Sequence, residues 1–227
     1  MHKFKEPMPH HRLKKLQESG TFMDTHETSE DSDFMVKEWR LGEHNELAVG
    51  YGEEFEIDKM AQNIEDFLDA SKRVGADFVP RTRVIVAKNQ EGKDTIYLMT
   101  RRIKGQELDG ESLTDPDNTN KEQILKILEK ITDIYVDSYS EQTQKGLTIE
   151  FIKLQNYIKD EQGKIFLVDL SPVYDLDLET FKIRMGMFLK YFKLPAGEIR
   201  GRLKTIEQKL KAVGKIKKAK SAKVVNR

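Results

Sequence analysis

Short polar turns constrain what this chain can fold into before any other feature does. Strand-like segments come in pairs: "FMVKEWRL" and "ELAVGYG" around "GEHN", "FVPRTRVIVAK" and "TIYLMTRRI" around "NQEGKD", and "FIKLQNYIKD" and "IFLVDL" around "EQGK". Parallel strands need a crossover of a dozen residues or more, so pairs this closely spaced are expected to close as antiparallel hairpins.

Between and after these pairs the apolar period changes from two to between three and four. From Asp58 to about Val74, Met60, Ile64, Phe67 and Leu68 fall on one helical face, with Asp58 as N-cap and Gly75 as terminator. A longer helix carries the stripe Ile124, Ile127, Leu128, Ile131, Ile134, Tyr135 and Tyr139, a core face. Two more helices are expected from about Asp177 to Phe192 and from about Ala196 to Ala212. The fold class is therefore α+β: a small antiparallel sheet with one helix, then a mainly helical half. Residues 34–104 form the first part, 105–212 the second, and 213–227 a basic disordered tail. Residues 1–33 are polar, of mixed charge and poor in branched apolar side chains, so a flexible leader is expected there.

Composition narrows the function classes. The chain has no cysteine, which excludes disulfides and thiolate chemistry and fits a reducing, cytoplasmic setting. No run of about 18 apolar residues is present to span a bilayer. His2, His10 and His11 have no carboxylate or thiolate in helical register beside them and are read as solvated. Lys+Arg equals Asp+Glu at 39 each, yet from Glu198 onward eleven Lys/Arg face two acids. That Lys-rich end could bind nucleic acid or another anionic surface without specificity, since no aromatic residue interrupts it. Trp39 and Tyr97 are read as core aromatics.

The segment "KIFLVDLSPVY" places an acid, Asp169, directly after a buried strand. Such an acid caps a helix, completes a buried ion pair or binds a metal. Asn156 lies thirteen residues earlier, at the start of "NYIKDEQGKIFLVD". A tight hairpin of that length brings the amide and the carboxylate to one end of two paired strands, where their oxygens could hold Mg²⁺ against nucleotide phosphates.

In "LQNYIKDEQGKIFLVDLSP" the chain resembles the protein-kinase-like superfamily, nearest the aminoglycoside and choline phosphotransferase branch. The resemblance spans about residues 36 to 195. It implies a two-lobed fold, with ATP and Mg²⁺ as cofactors and Asn156 and Asp169 as metal ligands. It further implies that "YLMTRRIKGQEL" passes the adenine pocket and that the helix from Asp58 is the αC counterpart, with Glu65 as its acid. Against that pattern, Phe151 stands where the family has its catalytic Asp, five residues before the Asn. Glu150, one residue away, is the weak candidate for a substitute base. Gly50 stands where the phosphate-holding strand lysine is expected, and "LGEHNE" replaces a Gly-rich loop. The resemblance thus implies a catalytically degenerate, pseudokinase-like domain that binds a nucleotide and acts on an unidentified protein or small-molecule partner. The alternative is an atypical phosphotransferase that uses Glu150 as base, with Lys37, Lys59 or Arg40 as the lysine.

Overall fold

The computed structural model describes residues 2–3, 13–17, 23–28, 33–39, 57–110, 119–170 and 173–215. In chain order the strands are β1 (His2–Lys3), β2 (Leu13–Gln17), β3 (Met23–Thr28) and β4 (Phe34–Trp39), followed by helix α1 (Ile57–Arg73). Then come β5 (Thr82–Lys88), β6 (Asp94–Arg101), β7 (Gly105–Glu107) and α2 (Thr119–Ser138). The second half continues with β8 (Lys145–Ile149), a 3-10 turn (Leu154–Asn156), β9 (Tyr157–Asp160), β10 (Ile165–Leu167), β11 (Val173–Asp177), α3 (Leu178–Tyr191) and α4 (Ala196–Ala212).

The architecture is the α+β one expected. Strands β2 to β6 form an antiparallel sheet in the order β5-β6-β4-β3-β2, and β1 adds a two-residue parallel pair at the β5 edge. The parallel pair lies outside the expectation of purely antiparallel pairing. Strands β2 and β3 fall within residues 1–33, where a flexible leader is expected, and pair antiparallel in this sheet. Their sequences, "LKKLQ" and "MDTHET", lack apolar alternation, and their strand character comes from ladder pairing, β3 to β4 and β2 to β3. The β4 segment was paired with "ELAVGYG" in the sequence reading; its hairpin partner is instead β3, and "ELAVGYG" lies outside the described residues.

Helix α1 buries Ala61, Ile64, Phe67, Leu68, Ala70 and Ser71. It ends as the sequence indicated: Gly75 takes φ +64°, and the Ala76 and Gly75 amides donate to the Ser71 and Lys72 carbonyls, closing the last turn. One continuous core runs from Trp39 on β4 through α1 and α2 to Leu210 on α4, so both halves share their apolar packing. Strand β7, the first element of the second half, pairs with β9 directly after the sheet ends at Arg101. A Cβ at Gly105 would overlap the Lys159 carbonyl, so only glycine allows that approach.

Two strands of the second half, β8 and β11, were not anticipated; they pair from Lys145↔Asp177 to Ile149↔Val173. The pair sits on α2 at Gly146, where a Cβ would lie 2.7 Å from the Tyr135 carbonyl oxygen. The expected tail is docked where it begins, with Lys215 Nζ donating to the Asp137 carbonyl at 2.5 Å, and residues beyond 215 are outside the described set. No helix among the described residues is long and apolar enough to cross a membrane.

Two outcomes test this packing. Gly146→Ala pushes a methyl into Tyr135 and should destabilise by about 1–3 kcal/mol in urea unfolding; an unchanged midpoint would contradict the close contact. Asp177 caps α3, accepting from the Thr180 amide at 2.9 Å and hydroxyl at 2.7 Å, and these bonds hold its pKa below the usual carboxylate value. A lowered folded pKa gives stability that is complete above the ordinary carboxylate pKa and is lost as pH falls through the folded value. Asp177→Ala should therefore cost about 1 kcal/mol at neutral pH and flatten the loss of stability below about pH 4.

Candidate functional site

Strand alternation decides what β4 presents to each side. Val36 packs in a small cluster with Ala87 and Tyr97, and Glu38 on the same face meets His26 Nε2 at 3.3 Å and the Tyr97 hydroxyl at 3.2 Å. Trp39 joins the main core on the opposite face, and Lys37 shares that side. Lys37 Nζ donates to Asp169 Oδ1 at 3.2 Å and to the Val168 carbonyl at 3.3 Å. The pair spans 132 residues of sequence. Lys37 is 13% exposed and Asp169 33%, so the ammonium is largely withdrawn from water and depends on these two acceptors.

Asp169 is carried by the β9–β10 hairpin the sequence predicted, with Tyr157 opposite Leu167. The hairpin turns on Gly163, at φ +81°, and on Asp160 Oδ1, which accepts from the Gln162 and Lys164 amides. Just beyond the last pair, the Val168 amide donates to the Asn156 carbonyl at 2.8 Å, which brings Asn156 and the residue before Asp169 to one end of the hairpin. Asn156 is buried, and its Nδ2 donates to the Glu150 carbonyl at 3.1 Å. Only the amide nitrogen can serve a carbonyl, so Asn156 Oδ1 is left without a hydrogen bond among the described residues. Asp169 Oδ2 is likewise unspent, because Lys37 takes Oδ1. Among the described residues there is no cluster of three or more His, Cys, Asp or Glu.

Glu150 and Phe151 have different surroundings. Phe151 is fully buried against Phe181 and Phe188, and its carbonyl accepts from the Tyr157 hydroxyl at 2.7 Å. The Glu150 carboxylate accepts from Arg184 Nη2 at 2.6 Å, the Tyr174 hydroxyl at 3.3 Å and the Ile152 amide at 3.2 Å. Burial opposes the Arg184 charge, but the Glu150 carboxylate outweighs it and the guanidinium pKa is raised. Burial, then Glu150, pushes the Tyr174 phenol up to about 12, so it remains a donor at neutral pH. The Arg184 guanidinium stacks over the Tyr174 ring at 4.4 Å.

Glu65 lies half-buried in the middle of α1, and Lys59 is exposed on that helix's first turn. Arg40 and Gly50 lie outside the described residues. Of the candidate cations among the described residues, Lys37 meets Asp169. The signal was present in "VKEW", where a residue two before a buried Trp must share its face. Arg184 and Tyr174 gave no signal, because a single cation on a helix and a single tyrosine do not announce a partner tens of residues away.

No family model matches the chain, and no curated protein matches it. Among solved structures it is similar to one titled "Co-crystal structure of WbdD and kinase inhibitor LY294002", with a TM-score of 0.44 and 11% identity over 90% of this chain and 46% of that one. The chain therefore spans less than half of that protein's length.

The exposure difference across the Lys37–Asp169 pair makes a testable asymmetry. Asp169→Ala leaves a buried ammonium with one carbonyl and should cost about 1–3 kcal/mol in denaturant unfolding. Lys37→Met leaves a carboxylate that water can reach and should cost less. Equal costs, or additive costs in the double variant, would contradict the pairing.

Proposed function

We propose that this chain is a kinase-like binding domain that holds a nucleotide with a divalent cation at the Lys37–Asp169 pair and lacks phosphotransfer. The observation that carries the reading is the 3.2 Å contact between Lys37 and Asp169. In kinase-like sites a strand lysine holds the phosphates, while an Asp and an Asn hold the metal. Lys37, Asp169 and Asn156 are residues of those types, borne by a sheet strand and by one end of a hairpin. Mg²⁺ would neutralise phosphate charge there, with Asp169 and Asn156 offering their unspent oxygens and Lys37 its charge. Bound nucleotide would draw Lys37 from Asp169 towards phosphate, so the pair is a resting arrangement of the site.

Transfer is the part this chain does not support. Phosphoryl transfer depends on positioning and on a group that orients the attacking hydroxyl. Phe151 cannot accept a proton and is fixed in the core. Glu150 spends its carboxylate on Arg184, Tyr174 and a backbone amide. One observation favours the enzymatic alternative: Asn156 bonds the Glu150 carbonyl, which sets Glu150 at the head of the Asn156 loop.

A thermal-shift titration with ATP and ADP, with and without Mg²⁺, tests the binding. A ligand at about 100 times its Kd should stabilise by about 2.7 kcal/mol. Asp169→Ala should abolish the Mg²⁺-dependent part of the shift. Turnover assays with small alcohols, aminoglycosides and proteins should stay at background. Metal-dependent transfer that disappears in Glu150→Gln would overturn the degenerate reading and make Glu150 the base.

A further inference from the structure

A cavity of about 730 Å³ lies among α2, α3, α4 and the β9–β10 hairpin, and it includes none of Lys37, Asn156 or Asp169. Its walls bring together Phe78, Ile127, Ile165, Met185, Leu189 and Ile206, all buried core residues. No lining residue has a buried polar atom without a partner. The Gln123 side chain, the one buried-side amide in the lining, is spent on the Gly163 carbonyl and the Ile165 amide. A sugar or a base would therefore find no partners for its own polar groups on this floor.

The rim has the opposite character. Two ion pairs bridge α4 to α2, Arg202–Glu129 at 3.1 Å and Lys209–Asp133 at 2.5 Å. Lys130 donates to the Val74 carbonyl, and Lys164 pairs with Asp77. Lys126 is exposed and has no hydrogen-bond or ion-pair partner among the described residues. The rim thus holds five cations against three carboxylates, and one cation is uncommitted.

We propose that this cavity binds an amphipathic anion, a linear carboxylate with an apolar tail. The tail lies on the Ile127–Met185–Leu189–Ile206 floor, and the carboxylate meets Lys126 at the rim. The size is that of a small-molecule site, and an apolar wall with a few charges at its edge matches such a ligand. This site does not rest on nucleotide binding at Lys37 and Asp169.

The test is isothermal titration of the full chain with octanoate, decanoate and dodecanoate below their micelle concentrations, and with dodecan-1-ol. Dodecanoate should bind one to one. Each methylene removed should weaken binding about threefold to fourfold, and dodecan-1-ol should bind at least threefold more weakly. Thr205→Trp, at an exposed lining position, fills the cavity and should weaken dodecanoate at least tenfold without lowering the apo melting temperature. Lys126→Gln should weaken the carboxylate and leave the alcohol unchanged. Absence of saturable dodecanoate binding, affinity independent of tail length, or affinity unaltered in Thr205→Trp would overturn the proposal.

Discussion

The contact between Lys37 and Asp169 is the constraint to which the rest of the structure is fitted. A largely buried ammonium requires acceptors, and Lys37 finds both at the end of β10. That requirement fixes the face of β4, since a slip of one residue would exchange Lys37 for Val36 or Glu38. It also fixes where the β9–β10 hairpin meets the sheet. Gly105 allows β7 to lie against β9, and the shared core from Trp39 to Leu210 supports the junction from beneath. Glu38, turned the other way, is held by His26 and Tyr97, so neither charge on this strand is left without a partner.

The loop that carries Asn156 is anchored in a way that favours holding over transfer. Phe151 contributes to an aromatic cluster with Phe181 and Phe188, and Tyr157 clamps its carbonyl. A carboxylate buried at that position would bear the cost of desolvation without a partner. Glu150 is immobilised instead by a buried arginine and a tyrosine whose proton is retained. The loop gains rigidity, and Asn156 is presented in one orientation because its amide nitrogen is committed to Glu150. On the proposed reading, this rigid presentation would let Asn156 serve a cation.

Legibility in the sequence follows the range of the forces involved. Helices α1, α3 and α4 were read to within a residue or two and the stripe of α2 was read correctly, because a period near 3.6 and Gly75 as a stop are local signals; Asp58, read as the N-cap of α1, lies in its first turn instead. The hairpin joining Asn156 to Asp169 was legible for the same reason. Strands β2 and β3 were not, since β3 is ordered by pairing to β4 and β2 by pairing to β3, and their sequences lack apolar alternation. Strands β8 and β11 were missed because they are short and their pairing is set by contact with α2 at Gly146. At the site, the match to Gly50 followed position along a presumed hairpin, whereas β4 alternation directs Lys37 to Asp169. Glu150 and Arg184 meet across 34 residues, a separation over which local patterns carry no information.

The central claim is that Lys37 and Asp169 form a ligand site and not merely an internal ion pair. Calorimetric titration of the full chain with a non-hydrolysable ATP analogue and Mg²⁺, set beside the same titration of Lys37→Met, tests this most directly. The account predicts saturable one-to-one binding by the unmodified chain and its loss, by tenfold or more, in the variant, with folding retained. No heat of binding in the unmodified chain, or equal affinity in Lys37→Met, would contradict it.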